Sequence, residues 1–507
     1  MRTSIRRLAV TTVGLAVIAG AVTGSAAAAE ERPAPGAPGV GDSVFPNLGN
    51  GGYQAEHYLI EMKYDPTTKL IDATTTMQAQ ATQRLSQFDL DAYGLDIASV
   101  EVDGHPATFT QDGHELVVTP AARIGSRFSV KVHYSADPRR LKPPLGGFVA
   151  TPDGFSTAPQ PDVAHTVFPG NDHPSDKAYY TFKVTAPEGT IGVANGDQVG
   201  EEANVDGSTT YTYVSQSPMP TELVQISVGD FAIVDHGTLP TGARLRDVVP
   251  TGRLTDLTRT LELTKGQLGW MEERLGPFPF EAYGLLPVNS DASDAFDFTG
   301  LETQTLTLYK PNFLKRPENQ IGTHMVHEIT HSWFGNSVSP ADWGSLWLNE
   351  GNANYYSFLY TYDRGWTDSH GKTSMLDRMH EAYGVGDIWR AKSGPVARPN
   401  AANLFDDIRY TGGTLTLFAL SEKLGVDKFN QIQAAWLRTY KNRSATTEDY
   451  IDLATRVSCD PTVRPFLEDW LYGTKEPAMP NHPDWVATPP TAQTLRTVDV
   501  QRDRYEG

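Results

Sequence analysis

The sequence predicts a multidomain α+β protein, with an all-β N-terminal domain followed by a mainly helical one. Two observations carry this prediction. Over residues 53–234, short runs with alternating or β-branched character, such as Tyr58-Leu59-Ile60-Glu61-Met62, Phe128-Ser129-Val130-Lys131-Val132 and Tyr179-Tyr180-Thr181-Phe182-Lys183-Val184, alternate with the turn pairs Asp103-Gly104, Asp112-Gly113 and Asn195-Gly196. Such spacing reads as hairpins. Over residues 251–275 apolar residues return at helical spacing, and after Gly276-Pro277-Phe278-Pro279-Phe280 the same period recurs in 321–335, 415–442 and 447–472. That is the pattern of amphipathic helices separated by breakers.

Taken in order, the chain opens on a basic Met1-Arg2-Thr3-Ser4-Ile5-Arg6-Arg7, an apolar run over 8–22 and a small-residue stretch ending at Ala29. These are the three parts of an export signal, so residues 1–29 are expected to be a signal peptide and the mature protein to be secreted. A retained anchor is the competing reading. Residues 30–50 are rich in Pro and Gly and predict a flexible linker. The β-domain is expected over 51–235, the helical domain with a short helical end over 236–475, and a Pro-rich tail over 476–507. With one cysteine, Cys459, no internal disulfide can form, so an exported chain of this length must rely on its core. A net charge of −19 disfavours nucleic acid and anionic membrane surfaces as partners. No second apolar run reaches the roughly 20 residues a membrane span needs.

The chemistry is concentrated in His327-Glu328-Ile329-Thr330-His331. Histidines four apart on a helix lie on one face, so His327 and His331 can offer ring nitrogens to one ion. Glu328 beside them can reach a water without being a ligand, the position of a general base. A catalytic zinc needs a third protein ligand and one open position, and Glu350 follows after 18 residues, room for a turn and the start of a second helix. The expected ligand set for one zinc ion per chain is His327, His331 and Glu350. Met325, Val326, Ile329 and Trp333 make the rest of the helix apolar, which sets the polar motif inside a buried element.

The run Val-His-Glu-Ile-Thr-His-Ser-Trp-Phe-Gly-Asn-Ser-Val at 326–338, followed by Trp-Leu-Asn-Glu-Gly at 347–351, resembles the aminopeptidase N family of zinc peptidases, which remove single residues from peptide N-termini. The resemblance covers about residues 50–475 and is strongest over 321–353. It implies a saddle-like N-terminal β-domain, a thermolysin-like catalytic domain and peptide substrates with a free N-terminus. Residue by residue, it also implies further roles. Glu302 in Thr299-Gly300-Leu301-Glu302-Thr303 matches the glutamate that holds the substrate ammonium, although Leu301 and Thr303 stand where the family has methionine and asparagine. Gln160, aligned through Phe168-Pro169, matches a second amine contact. Tyr410 in Arg409-Tyr410-Thr411-Gly412-Gly413 matches the tyrosine that donates to the oxyanion. His324 is expected behind the ligands or in solvent, Asn352 stands where the family carries an aromatic or apolar residue, and Asp291, Asp294 and Asp297 form an acidic loop that would favour basic first residues or simply face water.

Three readings compete with an aminopeptidase. A zinc endopeptidase, or another hydrolase such as an epoxide-opening enzyme, would use the same metal site but would not need Glu302 to face an ammonium. A non-catalytic zinc-containing binding protein would not need Glu328 or Tyr410, and structural zinc sites are closed by four protein ligands.

Overall fold

The computed structural model describes residues 32–288 and 299–499. The expected signal peptide and the acidic loop with Asp291, Asp294 and Asp297 lie outside the described residues. The N-terminal half is built of β-strands, as the turn spacing predicts. Its largest sheet has eight strands in the order Asp197–Ala203, Thr209–Val214, Tyr179–Ala186, Tyr53–Tyr64, Ile71–Ala81, Arg127–Ala136, Asp96–Val102 and His105–Pro106. In the central strands every second side chain is buried, among them Tyr58, Ile60, Met62 and Tyr64 on one strand and Tyr180, Phe182 and Val184 on its parallel neighbour. The period of two thus sends one face of the sheet into a core. Two four-stranded sheets cover that core.

The second half is mainly helical. Helices α1 (Leu254–Leu261) and α2 (Leu263–Leu275) precede α3 (Glu318–His331), α4 (Trp347–Asp363), α5 (Met375–Ser393), α6 (Asp407–Leu424), α7 (Val426–Thr439), α8 (Thr447–Ser458) and α9 (Val463–Tyr472). A small sheet joins the halves. Its strands Leu285–Pro287, Thr307–Tyr309 and Gly300–Leu301 belong to the second half, yet Leu286, Leu301 and Leu308 are buried in the core of the first. The segment that carries Glu302 therefore runs along the seam between the two cores.

Residues 32–50 depart from the expectation of a flexible linker. Ala34–Pro35 pairs in parallel with Leu85–Asp91, while Val44 and Phe45 pack against Trp343, Leu346 and Leu404. Composition concealed these few apolar anchors among prolines and glycines. The segment crosses from one half to the other, and Asp42 fastens it. Asp42 Oδ1 accepts from Val44 N at 2.6 Å and Phe45 N at 3.0 Å, and Oδ2 accepts from Trp343 N at 2.8 Å and lies 3.2 Å from His173 Nε2. Burial alone would raise the Asp42 pKa, but the bonds from His173 and the three backbone N–H groups outweigh it and hold the value at about 2. Because the folded value lies below the unfolded one, this stabilisation is present above the unfolded pKa of about 3.9 and is lost as pH falls through about 2. Asp42→Ala leaves buried donors without an acceptor and is expected to cost about 2–4 kcal/mol, read as a lower Tm at neutral pH. An unchanged Tm would mean that the strap contributes nothing to stability.

The stretch set aside in sequence as a tail, 476–507, is packed where it begins. The carboxylate of Glu476 pairs with Arg390 Nε at 2.8 Å with both side chains buried, and Met479 and Trp485 enter the helical core. Single apolar residues among prolines give no period to read, which is why this anchoring was not legible.

Candidate active site

Every residue of α3 from Ile321 to His331 is buried, including His324, His327, Glu328 and His331. Buried imidazoles and carboxylates are costly without partners, so the partners define the site. His327 Nδ1 lies 2.8 Å from Asn354 Oδ1, and His331 Nδ1 lies 3.1 Å from the Phe334 carbonyl. Both acceptors require the ring to donate, which leaves the two Nε2 atoms as bare lone pairs. They face each other at 3.2 Å. Glu350 Oε2 joins them at 3.3 Å from His327 Nε2 and 3.5 Å from His331 Nε2, with no hydrogen-bond partner among the described residues. Three electron-rich atoms converge on one point.

Such a convergence is stable only around positive charge. Burial opposes a proton on His331, yet Glu302, Glu350 and Glu328 around it push its pKa up to about 10. Burial likewise works against the charged form of Glu350, and the two histidines nonetheless pull it well below the ordinary carboxylate range. Two imidazoles and one carboxylate, with the outer ring nitrogens fixed by oxygen acceptors, are a donor set that suits zinc. The fold brings the three ligands expected from the sequence together, and Glu302 and Glu328 converge on His331 from its other side as a second such group.

Glu350 stands in the first turn of α4, which crosses α6 at two glycines. A Cβ on Gly351 would come within 2.9 Å of the Gly413 carbonyl carbon, and one on Gly413 within 3.0 Å of Gly351 Cα. Any side chain at either position would force the helices apart. Thr414 Oγ1 closes the crossing by donating to the Gly351 carbonyl at 2.9 Å. The contact brings Tyr410, in the first turn of α6, against the metal ligands, where its ring stacks on His327 with centroids 6.1 Å apart.

Glu328 is held from the opposite side. A Cβ on Gly300 would lie 2.9 Å from Glu328 Oε1, so only glycine lets the strand Gly300–Leu301 lie so close to this carboxylate. His324, one turn back on α3, places Nε2 3.1 Å from the same oxygen, behind the ligands as one of the two expectations had it. Two residues along from Gly300, Glu302 Oε1 sits 4.0 Å from His331 Nδ1 and accepts from Gln160 Nε2 at 2.7 Å. Gln160 and Glu302 are thus in direct contact beside the metal ligands. Asn336 Nδ2 donates to the Glu302 carbonyl at 2.7 Å, and the half-buried Lys177 donates to the Asn336 carbonyl, also at 2.7 Å. Asn352 is fully buried and ties α4 to α7 through Gln433, behind Glu350.

Sequence reasoning did not assign Asn354, Asn336 or Glu222. Asn354 was legible in principle, since it follows Glu350 by four residues and shares its helix face. Asn336 and Glu222 carry no local signal, because their partners are distant in sequence.

Both halves of the chain are similar to known proteins. Residues 259–470 match the model of the peptidase family M1 domain, and residues 54–223 match that of the peptidase M1 N-terminal domain. The chain is 30% identical over 329 residues to aminopeptidase M1 of Arabidopsis thaliana, a match covering 63% of this chain and 36% of that protein. It is 24% identical to leucine aminopeptidase 2 of Yarrowia lipolytica, covering 84% of this chain and 68% of that protein. The chain thus spans little more than a third of the length of the plant relative it matches. Among solved structures, an M1 zinc metallopeptidase from Deinococcus radiodurans superposes with a TM-score of 0.75 at 26% identity, covering 87% of this chain and 99% of that one. A variant of the Deinococcus enzyme bound to a Tyr-Ser-Ala substrate gives a TM-score of 0.74, covering 88% of this chain and 100% of that chain.

Proposed function

Because the chain belongs to peptidase family M1, we propose that it is an exported zinc-dependent aminopeptidase, which removes single residues from the free N-termini of peptides. The observation that carries the reading is the contact of Glu302 with Gln160 next to the zinc ligands. A metal site alone serves any hydrolase. A buried carboxylate fixed beside it serves an ammonium, and so restricts cleavage to the first peptide bond. Export is supported by the basic, apolar and small-residue order of residues 1–29. No helix of the described residues is long and apolar enough to cross a membrane.

His327, His331 and Glu350 would hold the zinc, which when bound supplies Lewis acidity toward a water and the scissile carbonyl. Glu302 and Gln160 bind the ammonium and set the register of the substrate. Glu328 takes the proton from the attacking water and later gives it to the leaving amine. That carboxylate lies against the Gly300 backbone and 3.1 Å from His324 Nε2. Tyr410 donates its hydroxyl proton toward the oxygen on which charge develops.

The test is release of a chromogenic amine from unblocked aminoacyl substrates beside their N-acetylated twins, with chelator and with added zinc. The expected result is cleavage of the free forms alone, abolished by chelator and restored by zinc. Equal cleavage of the acetylated twins would make the protein an endopeptidase and remove Glu302 from its role.

A further inference from the structure

Beside Glu302 and Gln160 lies another buried carboxylate with no role so far. Glu222 stands in the one-turn 3-10 helix Thr221–Leu223 and is 2% exposed. The turn is clamped on both sides. Thr221 Oγ1 donates to Asp172 Oδ1 at 2.7 Å, and the Leu223 carbonyl accepts from Asn195 Nδ2 at 3.0 Å and Gln304 N at 3.2 Å. Gln304 is two residues beyond Glu302, so this last bond ties the turn of Glu222 to the segment that carries the amine-binding carboxylate.

Glu222 hydrogen bonds the Gln160 side chain, whose Nε2 donates to Glu302 Oε1 at 2.7 Å. Gln160 therefore bridges two buried carboxylates. Burial first, and then the negative charges of Glu302 and Asp172, push the Glu222 pKa well above the ordinary range. The bond from Gln160 works the other way and favours the charged form, so in it the amide N–H donates and the Glu222 carboxylate accepts. The amide then has one orientation, with its NH2 toward the two carboxylates and its oxygen left to accept from the substrate ammonium. Glu222 Oε2 makes no hydrogen bond among the described residues.

We infer that Glu222 is a positioning residue for Gln160, which it holds against Glu302 before substrate arrives, so that the ammonium meets a finished subsite. The inference rests on the aminopeptidase reading and adds to it a residue that sets affinity for the free N-terminus. A glutamine left mobile would have to be ordered by each substrate, a cost that appears in KM.

The experiment is a double-mutant cycle on kcat and KM for unblocked aminoacyl substrates, combining Glu222→Met and Glu222→Gln with Gln160→Ala. E222M is expected to raise KM about tenfold with kcat within about twofold, the pattern of lost binding common to ground and transition state. E222Q keeps a side-chain oxygen that accepts from the Gln160 amide and is expected to remain near wild type. In the Q160A background E222M is expected to add nothing, since the group it positions is gone. An equal effect of E222M in both backgrounds, or an unchanged KM, would overturn the inference and leave Glu222 as core filling. Should E222M not fold, Glu222→Ser carries the same cycle, because a small polar residue leaves the turn its clamps. Failure of the aminopeptidase reading itself would be visible first, in a wild-type enzyme that cleaves acetylated substrates as fast as free ones.

Discussion

Replacing Glu328 by glutamine is expected to lower kcat by about 10³-fold while KM changes little, since general-base catalysis contributes typically 10²–10⁴-fold. The structure gives the reason for the separation. Glu328 lies outside the ligand set of His327, His331 and Glu350, and its carboxylate faces the Gly300 backbone on one side and His324 on the other. Glutamine has the same shape and can occupy that space. It cannot accept a proton from water at neutral pH. Zinc content, Tm and affinity for an inhibitory amino acid should therefore stay at wild-type values while turnover is lost. Retained kcat would show that another group takes the proton, whereas loss of zinc together with kcat would make Glu328 part of the metal site.

The second large effect is expected at Glu302. Glu302→Gln keeps the shape and removes the charge that an ammonium needs, so kcat/KM for unblocked substrates should fall by about 10²-fold, the worth of roughly 3 kcal/mol of charge-assisted hydrogen bonding in a buried site. Acetylated substrates never had that interaction and should be affected far less. The informative quantity is the ratio of the two, which should collapse toward one. Glu302 is 5% exposed, so solvent cannot replace what is lost. If the ratio survives E302Q, preference for a free N-terminus comes from elsewhere, and the contact with Gln160 is structural.

What the sequence made legible follows the distance over which each signal acts. His327, Glu328 and His331 could be assigned because helical spacing is local, and Glu350 because one turn and one helix start separate it from them. The hairpins at Asp103-Gly104 and Asp112-Gly113 were readable from their turns, whereas Asn195-Gly196 joins strands of two different sheets. Gln160 meets Glu302 across 142 residues, and only a resemblance to a known family could have pointed to it. Glu222 had neither signal, since a lone glutamate after Pro220-Thr221 looks like any surface turn until the strand beside it is known. The strap over 32–50 was misread because composition speaks for the average residue, and here a few side chains decide. Asp42 meets four residues on three separate parts of the chain, Val44 and Phe45, His173, and Trp343, and no local window contains them.

That strap also dictates an order of events. The bond from Trp343 N to Asp42 joins residues 301 apart in sequence. A ribosome has made the strap long before the turn it binds exists, at roughly 5–20 residues per second. The β-domain can therefore condense early, but its N-terminal segment must wait for α4 to be made and folded before it docks. Closing so long a loop carries an entropic cost that grows only slowly with length, so the delay is set by synthesis more than by search. Assembly of the metal site and capture of the strap then become a single late step, in which the first turn of α4 brings Glu350 to the histidines and the turn Trp343–Ser345 just before it receives the strap.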